Sequence, residues 1–150
     1  MCNLFFFGFG EETGWAGYAV PVLQKQFLPI AAAFVLTGFW ALWHLPLFLY
    51  RPGYTSMDVA GIVGWILSLL MGRFILSWFQ NAASGSILIC AVFHATIDVA
   101  FTSGATTQEL SGYIGVLVTL WGLAMLIPLK MKKLSAKGKL KQSQVTTFSA

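Results

Sequence analysis

Long apolar stretches, separated by short polar or turn-forming clusters, set the pattern of this chain. Residues 27–50 contain no Asp, Glu, Lys or Arg across 24 positions. About 20 apolar residues are enough for a helix to cross a bilayer. This stretch therefore predicts a membrane span, kinked near its end by Pro46. Arg51-Pro52-Gly53-Tyr54 predicts a turn. Residues 59–79 predict a second span, interrupted by Arg73 near its end. Residues 81–86 form a small polar loop, and residues 86–103 a shorter span holding His94 and Asp98. After a loop at 104–108, residues 110–129 give a charge-free last span. The first 23 residues are apolar apart from Glu11 and Glu12 and predict a further helix, with Gly14, Gly17 and Pro21 as places where it would break. No internal repeat is present. The expected fold is all-α: a polytopic transmembrane bundle of four to five helices, with a polar site inside the membrane.

Composition sharpens this picture. Only 14 of 150 residues are charged, or 9%, against roughly 25% in an ordinary soluble domain. Apolar residues make up 57% and mean hydropathy is +0.76. A small soluble fold cannot hide so much apolar surface. A soluble enzyme, a nucleic-acid module and a disordered chain are excluded. Six of the nine basic residues (Lys130, Lys132, Lys133, Lys137, Lys139, Lys141) lie in the last 21 positions. The net charge of +4 thus describes a tail, and without that tail it would be −2. The chain divides into a membrane-embedded part, 1–130, and a basic tail, 131–150. Basic residues stay cytoplasmic, so the C-terminus is expected in the cytoplasm, as a solvated tail that sets topology. Lys25 and Arg73 agree with that orientation; Arg51 does not. Cys2 and Cys90 define no disulfide framework, and Cys90 reads as a packing residue. The N-terminus lacks a basic n-region and a small-residue cleavage site, and starts inside apolar sequence.

The few remaining charges matter most. Lys25, Arg51, Asp58 and Glu109 fall in loops or at span ends, and Arg73 is close enough to one to snorkel. Glu11, Glu12 and Asp98 remain at membrane depth, with the two histidines, His44 and His94. Unpaired in hydrocarbon, each costs several kcal/mol. Facing one shared interior pocket is the cheapest arrangement, and an ionisable residue inside a membrane helix is a functional hypothesis by default. His94 and Asp98, at i and i+4, share a helix face. Glu11 and Glu12 point about 100° apart, which implies one carboxylate in the pocket and one needing a structural partner. Taken singly, each group also has a bland reading: a hydrogen bond between helices, or a helix N-terminus for the glutamates. The aromatic stretch Phe39-Trp40-Ala41-Leu42-Trp43 reads as packing and interfacial anchoring.

These residues fall in a recognisable order. Glu11-Glu12-Thr-Gly-Trp15-Ala-Gly17-Tyr18 comes first. Phe39-Trp-Ala-Leu-Trp43-His44-Leu-Pro46 follows, and then Ser84-Gly85-Ser86 leading to His94-Ala-Thr-Ile-Asp98. From about residue 8 to 125 the chain resembles the CPBP family: type II CAAX prenyl endopeptidases and bacterial bacteriocin-processing and immunity proteins. The resemblance implies an intramembrane protease. Glu11 would be the catalytic carboxylate that activates water, with Glu12 supporting it. His44 would hold that water or a metal. His94 and Asp98 would bind metal or stabilise the oxyanion. Zinc is the metal such a family implies, with His44, His94 and Asp98 as its ligands. Two imidazoles and a carboxylate suit zinc and leave room for water. Without metal, histidine donors would stabilise the oxyanion instead. The implied partners are a peptide or protein substrate, membrane-associated or prenylated, and the lipid bilayer; nucleic acid is not among them. The implied location is the plasma membrane of a bacterium.

Three departures stand out. The family's first-motif Arg is Ala16 here, which leaves Glu12 without the partner it would have one turn away. The third-motif position that is often Asn is Asp98, which removes an amide donor and adds a negative ligand. The first motif starts at residue 11, where the family has several helices before it, so the chain reads as N-terminally truncated. Two rival readings stay open. One is a catalytically degenerate membrane immunity or scaffold protein, for which Ala16 speaks. The other is a proton-relay or transport component, since buried Glu and His also mark ion pathways.

Overall fold

The computed structural model describes residues 3–102 and 107–129, which are helical apart from short connections. Helix α1 runs over residues 3–26 without a break, although two of its stretches, Asn3–Glu11 and Trp15–Ala19, are π-helical. The glycines at 14 and 17 and Pro21 therefore do not interrupt it. Helices α2 (Pro29–His44) and α3 (Leu47–Tyr50) form one apolar rod bent at Leu45–Pro46, as Pro46 predicts. A single turn, α4 (Pro52–Thr55), leads to α5 (Val59–Ala82). Asp58 caps α5 by accepting the Gly61 N–H at 2.7 Å. Helix α6 (Ile87–Thr102) and helix α7 (Gln108–Ala124) complete the bundle, α7 being capped by the Thr107 hydroxyl, which accepts from the Leu110 N–H. The basic tail, 131–150, lies outside the described residues.

Segments Pro29–Tyr50, Val59–Ala82 and Glu109–Leu129 are long and apolar enough to cross a membrane, and Ile87–Phe101 is a shorter apolar helix. The protein is an all-α integral membrane protein. Its exterior is rich in large apolar side chains: Leu49 is 84% exposed, Val59 78% and Phe6 73%. The interior instead encloses Glu12, Thr37, Arg73, Ser77, Gln80 and His94. Such a distribution suits a lipid solvent, in which apolar side chains face outward at no cost and polar groups must find partners inside.

Packing places α1 against α6, and α5 against both α2 and α7. Two glycines let these contacts form. A Cβ at Gly8 would lie 2.6 Å from the Ala91 carbonyl oxygen, and one at Gly122 would lie 2.7 Å from the Met71 carbonyl oxygen. Backbone approaches this close are the usual means of helix association in membranes. Gly8→Val and Gly122→Val should each lower stability by about 1–3 kcal/mol, read as unfolding in mixed detergent micelles. Gly38→Ala, where nothing lies within 4 Å of an added Cβ, should cause no loss.

Candidate active site

A carboxylate enclosed in apolar packing needs a cation or strong donors. Glu12, at 0% exposure, has both. Its Oε1 accepts from His94 Nδ1 at 2.9 Å and from Arg73 Nη2 at 3.4 Å. Arg73 is itself at 0% exposure, so it does not snorkel to the span end. It turns inward, with its Cζ 4.3 Å from the centre of the Trp40 ring. The counter-ion to Glu12 therefore comes from α5, 61 residues away in sequence. Ala16, one turn beyond Glu12, is buried at 1% exposure, and its carbonyl accepts from Gln80 Nε2 at 2.8 Å. Cys90 is buried as a packing residue, its thiol donating weakly to the Leu76 carbonyl at 3.7 Å.

Glu11 has a different environment. It is half-buried, and three indoles donate to it: Trp15 at 3.3 Å and Trp40 at 3.0 Å to Oε2, and Trp43 at 3.2 Å to Oε1. The two neighbouring glutamates thus divide as their helical angle requires. Glu12 is locked in the interior, and Glu11 sits at its edge under aromatic donors. The indoles of Trp40 and Trp43 serve as hydrogen-bond donors as well as packing groups. Trp15 stands four residues after Glu11, a spacing that could have signalled the contact. No such local signal pointed to Trp40.

Trp40 connects most of the site. Its N–H reaches Glu11, and its ring faces the Arg73 guanidinium. Its ring also meets that of His94 edge-on at 5.1 Å. Its carbonyl oxygen is 2.7 Å from His44 Nδ1. A carbonyl can only accept, so His44 carries a proton on Nδ1, and its Nε2 is the nitrogen left for a reactant. Glu12 selects Nδ1–H on His94 in the same way, again leaving Nε2. The His44 ring is held by Tyr54, stacked at 6.4 Å, and by Trp65 at 5.9 Å. Asp98, half-buried one turn beyond His94 on α6, lies within electrostatic reach of His94, Arg51, Glu11 and His44. Tyr54 lies outside the spans. Burial pushes its hydroxyl above the ordinary value despite the nearby Arg51, so it stays protonated at neutral pH.

The five residues singled out in the sequence therefore gather around one region formed by α1, α2 and α6. Among the described residues, however, no group of three His, Cys, Asp or Glu side chains is arranged to hold a metal ion. Each imidazole has Nδ1 committed to a protein acceptor and Nε2 open, as a metal-bound histidine also has. His44, His94 and Asp98 do not form such a group.

Residues 1–100 match the type II CAAX prenyl endopeptidase Rce1-like family. The chain belongs to that family. It is 30% identical over 103 residues to a CAAX prenyl protease 2 from Methanococcus maripaludis, a match that covers 66% of this chain. The same match covers 38% of that relative, so the chain corresponds to less than half of its length. No solved structure matches. The matched region contains Glu11, Glu12, His44, Arg73, His94 and Asp98, so the whole polar cluster lies inside the family's domain.

If Trp40 ties the site together, its N–H and its ring should contribute separately. Trp40→Phe keeps a ring over Arg73 but removes the donor to Glu11, and should cost about 1–3 kcal/mol. Trp40→Ala should cost about 3–5 kcal/mol. Trp43→Phe, at a residue 61% exposed, should cost clearly less than Trp40→Phe. Detergent-unfolding titrations of the three variants give the comparison.

Proposed function

We propose that this chain carries the catalytic core of an intramembrane endopeptidase, acting on a peptide or protein substrate at the bilayer. One observation supports this above the others: Glu11, His44 and His94, from three different helices, all meet at Trp40. A carboxylate with two imidazoles, each held at Nδ1 by a protein acceptor, is the equipment of a hydrolase. The name of the Methanococcus relative suggests the substrate class, a prenylated CAAX-type C-terminal peptide. The lysine-rich C-terminus is assigned to the cytoplasmic face, and the membrane to the plasma membrane of a bacterium.

In this reading Glu11 is the general base. It takes a proton from a water molecule as the water oxygen attacks the scissile carbonyl carbon. His44 Nε2, with its lone pair, accepts a hydrogen bond from that water and orients it. His94, held at Nδ1 by Glu12, donates from Nε2 in its imidazolium form to the oxyanion of the tetrahedral intermediate. Glu11 then gives its proton to the departing nitrogen as the C–N bond breaks, leaving a free amine and a carboxylic acid that ionises on release. Asp98 supports the charge on His94. No step of this reading passes through a metal.

Glu11→Gln should lower kcat on a prenylated CAAX peptide by about 100- to 10,000-fold while leaving membrane insertion unchanged. Undiminished cleavage by that variant would falsify the assignment of the base. Elemental analysis checks the metal-free route: wild type should bind no more zinc than His94→Ala. Stoichiometric zinc in wild type that His94→Ala loses would restore the metal reading.

A further inference from the structure

Arg73 is the least expected member of the site. It is a cation at 0% exposure inside an apolar bundle. Its Nη2 meets Glu12 Oε1, the same oxygen that accepts from His94 Nδ1. Its guanidinium face lies on Trp40, whose N–H binds Glu11 and whose carbonyl binds His44. Its Nε and Nη1 have no hydrogen-bond partner among the described residues, and neither has Glu12 Oε2. One 3.4 Å bond and one ring contact are thus what hold this cation, and both lead directly to site residues.

We infer that Arg73 is a positioning residue for His94: it anchors the Glu12 carboxylate so that Oε1 holds His94 Nδ1–H. It acts from α5 on residues of α1 and α6. Position 16, one turn after Glu12, is occupied by an alanine that belongs to a hydrophobic cluster with Trp40, Leu69, Leu76 and Cys90. The charge that Glu12 needs is supplied from across the bundle instead of along its own helix. The pairing, and not the position of the cation in the chain, is what matters. The effect on turnover rests on the hydrolytic reading; the effect on the His94 hydrogen bond does not.

Two measurements separate these. In 15N-histidine-labelled protein in nanodiscs, the hydrogen-bonded Nδ1–H of His94, assigned by its loss in His94→Gln, should resonate far downfield in wild type. In Arg73→Met the unanchored carboxylate is free to turn away, and this resonance should move upfield or broaden away. Arg73→Lys should retain it in part, and Ala16→Arg/Arg73→Met, which moves the cation one turn from Glu12, should restore it. On a prenylated peptide, Arg73→Met should lower kcat by about 10- to 100-fold with KM little changed, and the relocated arginine should recover much of the loss. An unchanged or further-downfield resonance in a folded Arg73→Met protein overturns the inference. So does a relocated arginine that recovers stability but neither the resonance nor kcat. If the resonance responds as stated while wild type cleaves no peptide, Arg73 keeps its role and the protease reading falls.

Discussion

Enclosing the Glu12 carboxylate is the constraint on which the bundle depends. An isolated anion at 0% exposure in apolar packing is not sustainable, so α1 can only settle where cations and donors reach it. Arg73 reaches it from α5 and His94 from α6. Three helices are thereby brought to one point, and Trp40 brings the fourth by covering the guanidinium. Gln80, two turns beyond Arg73 on α5, adds a neutral bond to the Ala16 carbonyl of α1. Lipid-facing side chains give no such direction, since one apolar contact between helices is much like an apolar contact with acyl chains. Polar pairing therefore does much of what a hydrophobic core does in water.

The same pairing has a chemical consequence. A histidine with two open nitrogens is an ambiguous group, because either tautomer is available. Both histidines here have lost that ambiguity at Nδ1, His94 to a carboxylate and His44 to the Trp40 carbonyl. What fixes the fold also fixes which nitrogen each imidazole presents. Glu11, at the edge of the interior and surrounded by indole donors, is the carboxylate that remains able to meet water. Two adjacent residues of one type thus have opposite surroundings. They sit at the junction of a π-helical and an α-helical stretch, a backbone irregularity common at functional sites.

Much of this was legible in the sequence, for identifiable reasons. The spans follow from runs of apolar residues, and Pro46 marks a bend that the structure keeps. The five ionisable residues at membrane depth stood out because hydrocarbon makes each of them costly. Their division of labour could be foreseen from helical angle for Glu11 and Glu12. The partners could not. Arg73 lies close enough to a span end for snorkelling to be the natural expectation, and no local spacing connects it to Glu12. Trp40 and Trp43 are ordinary aromatic residues for a membrane helix, and their N–H groups acquire meaning only once α1 lies beside α2. The basic tail, which carries the topology argument, falls outside the described residues.

The alanine at position 16 is informative in this light. Considered along one helix, it removes the counter-ion of Glu12 and argues for a degenerate site. Considered across the bundle, it does not, because a carboxylate responds to the position of a cation in space and not to its place in the chain. Without a cation from elsewhere, a fully buried Glu12 would lack the counter-ion that its burial demands. Instead Glu12 is enclosed, paired and bonded to His94, and the space beside it at position 16 is closed by apolar contacts. A missing motif residue therefore says little about a missing function until the neighbouring helices have been searched for the same charge.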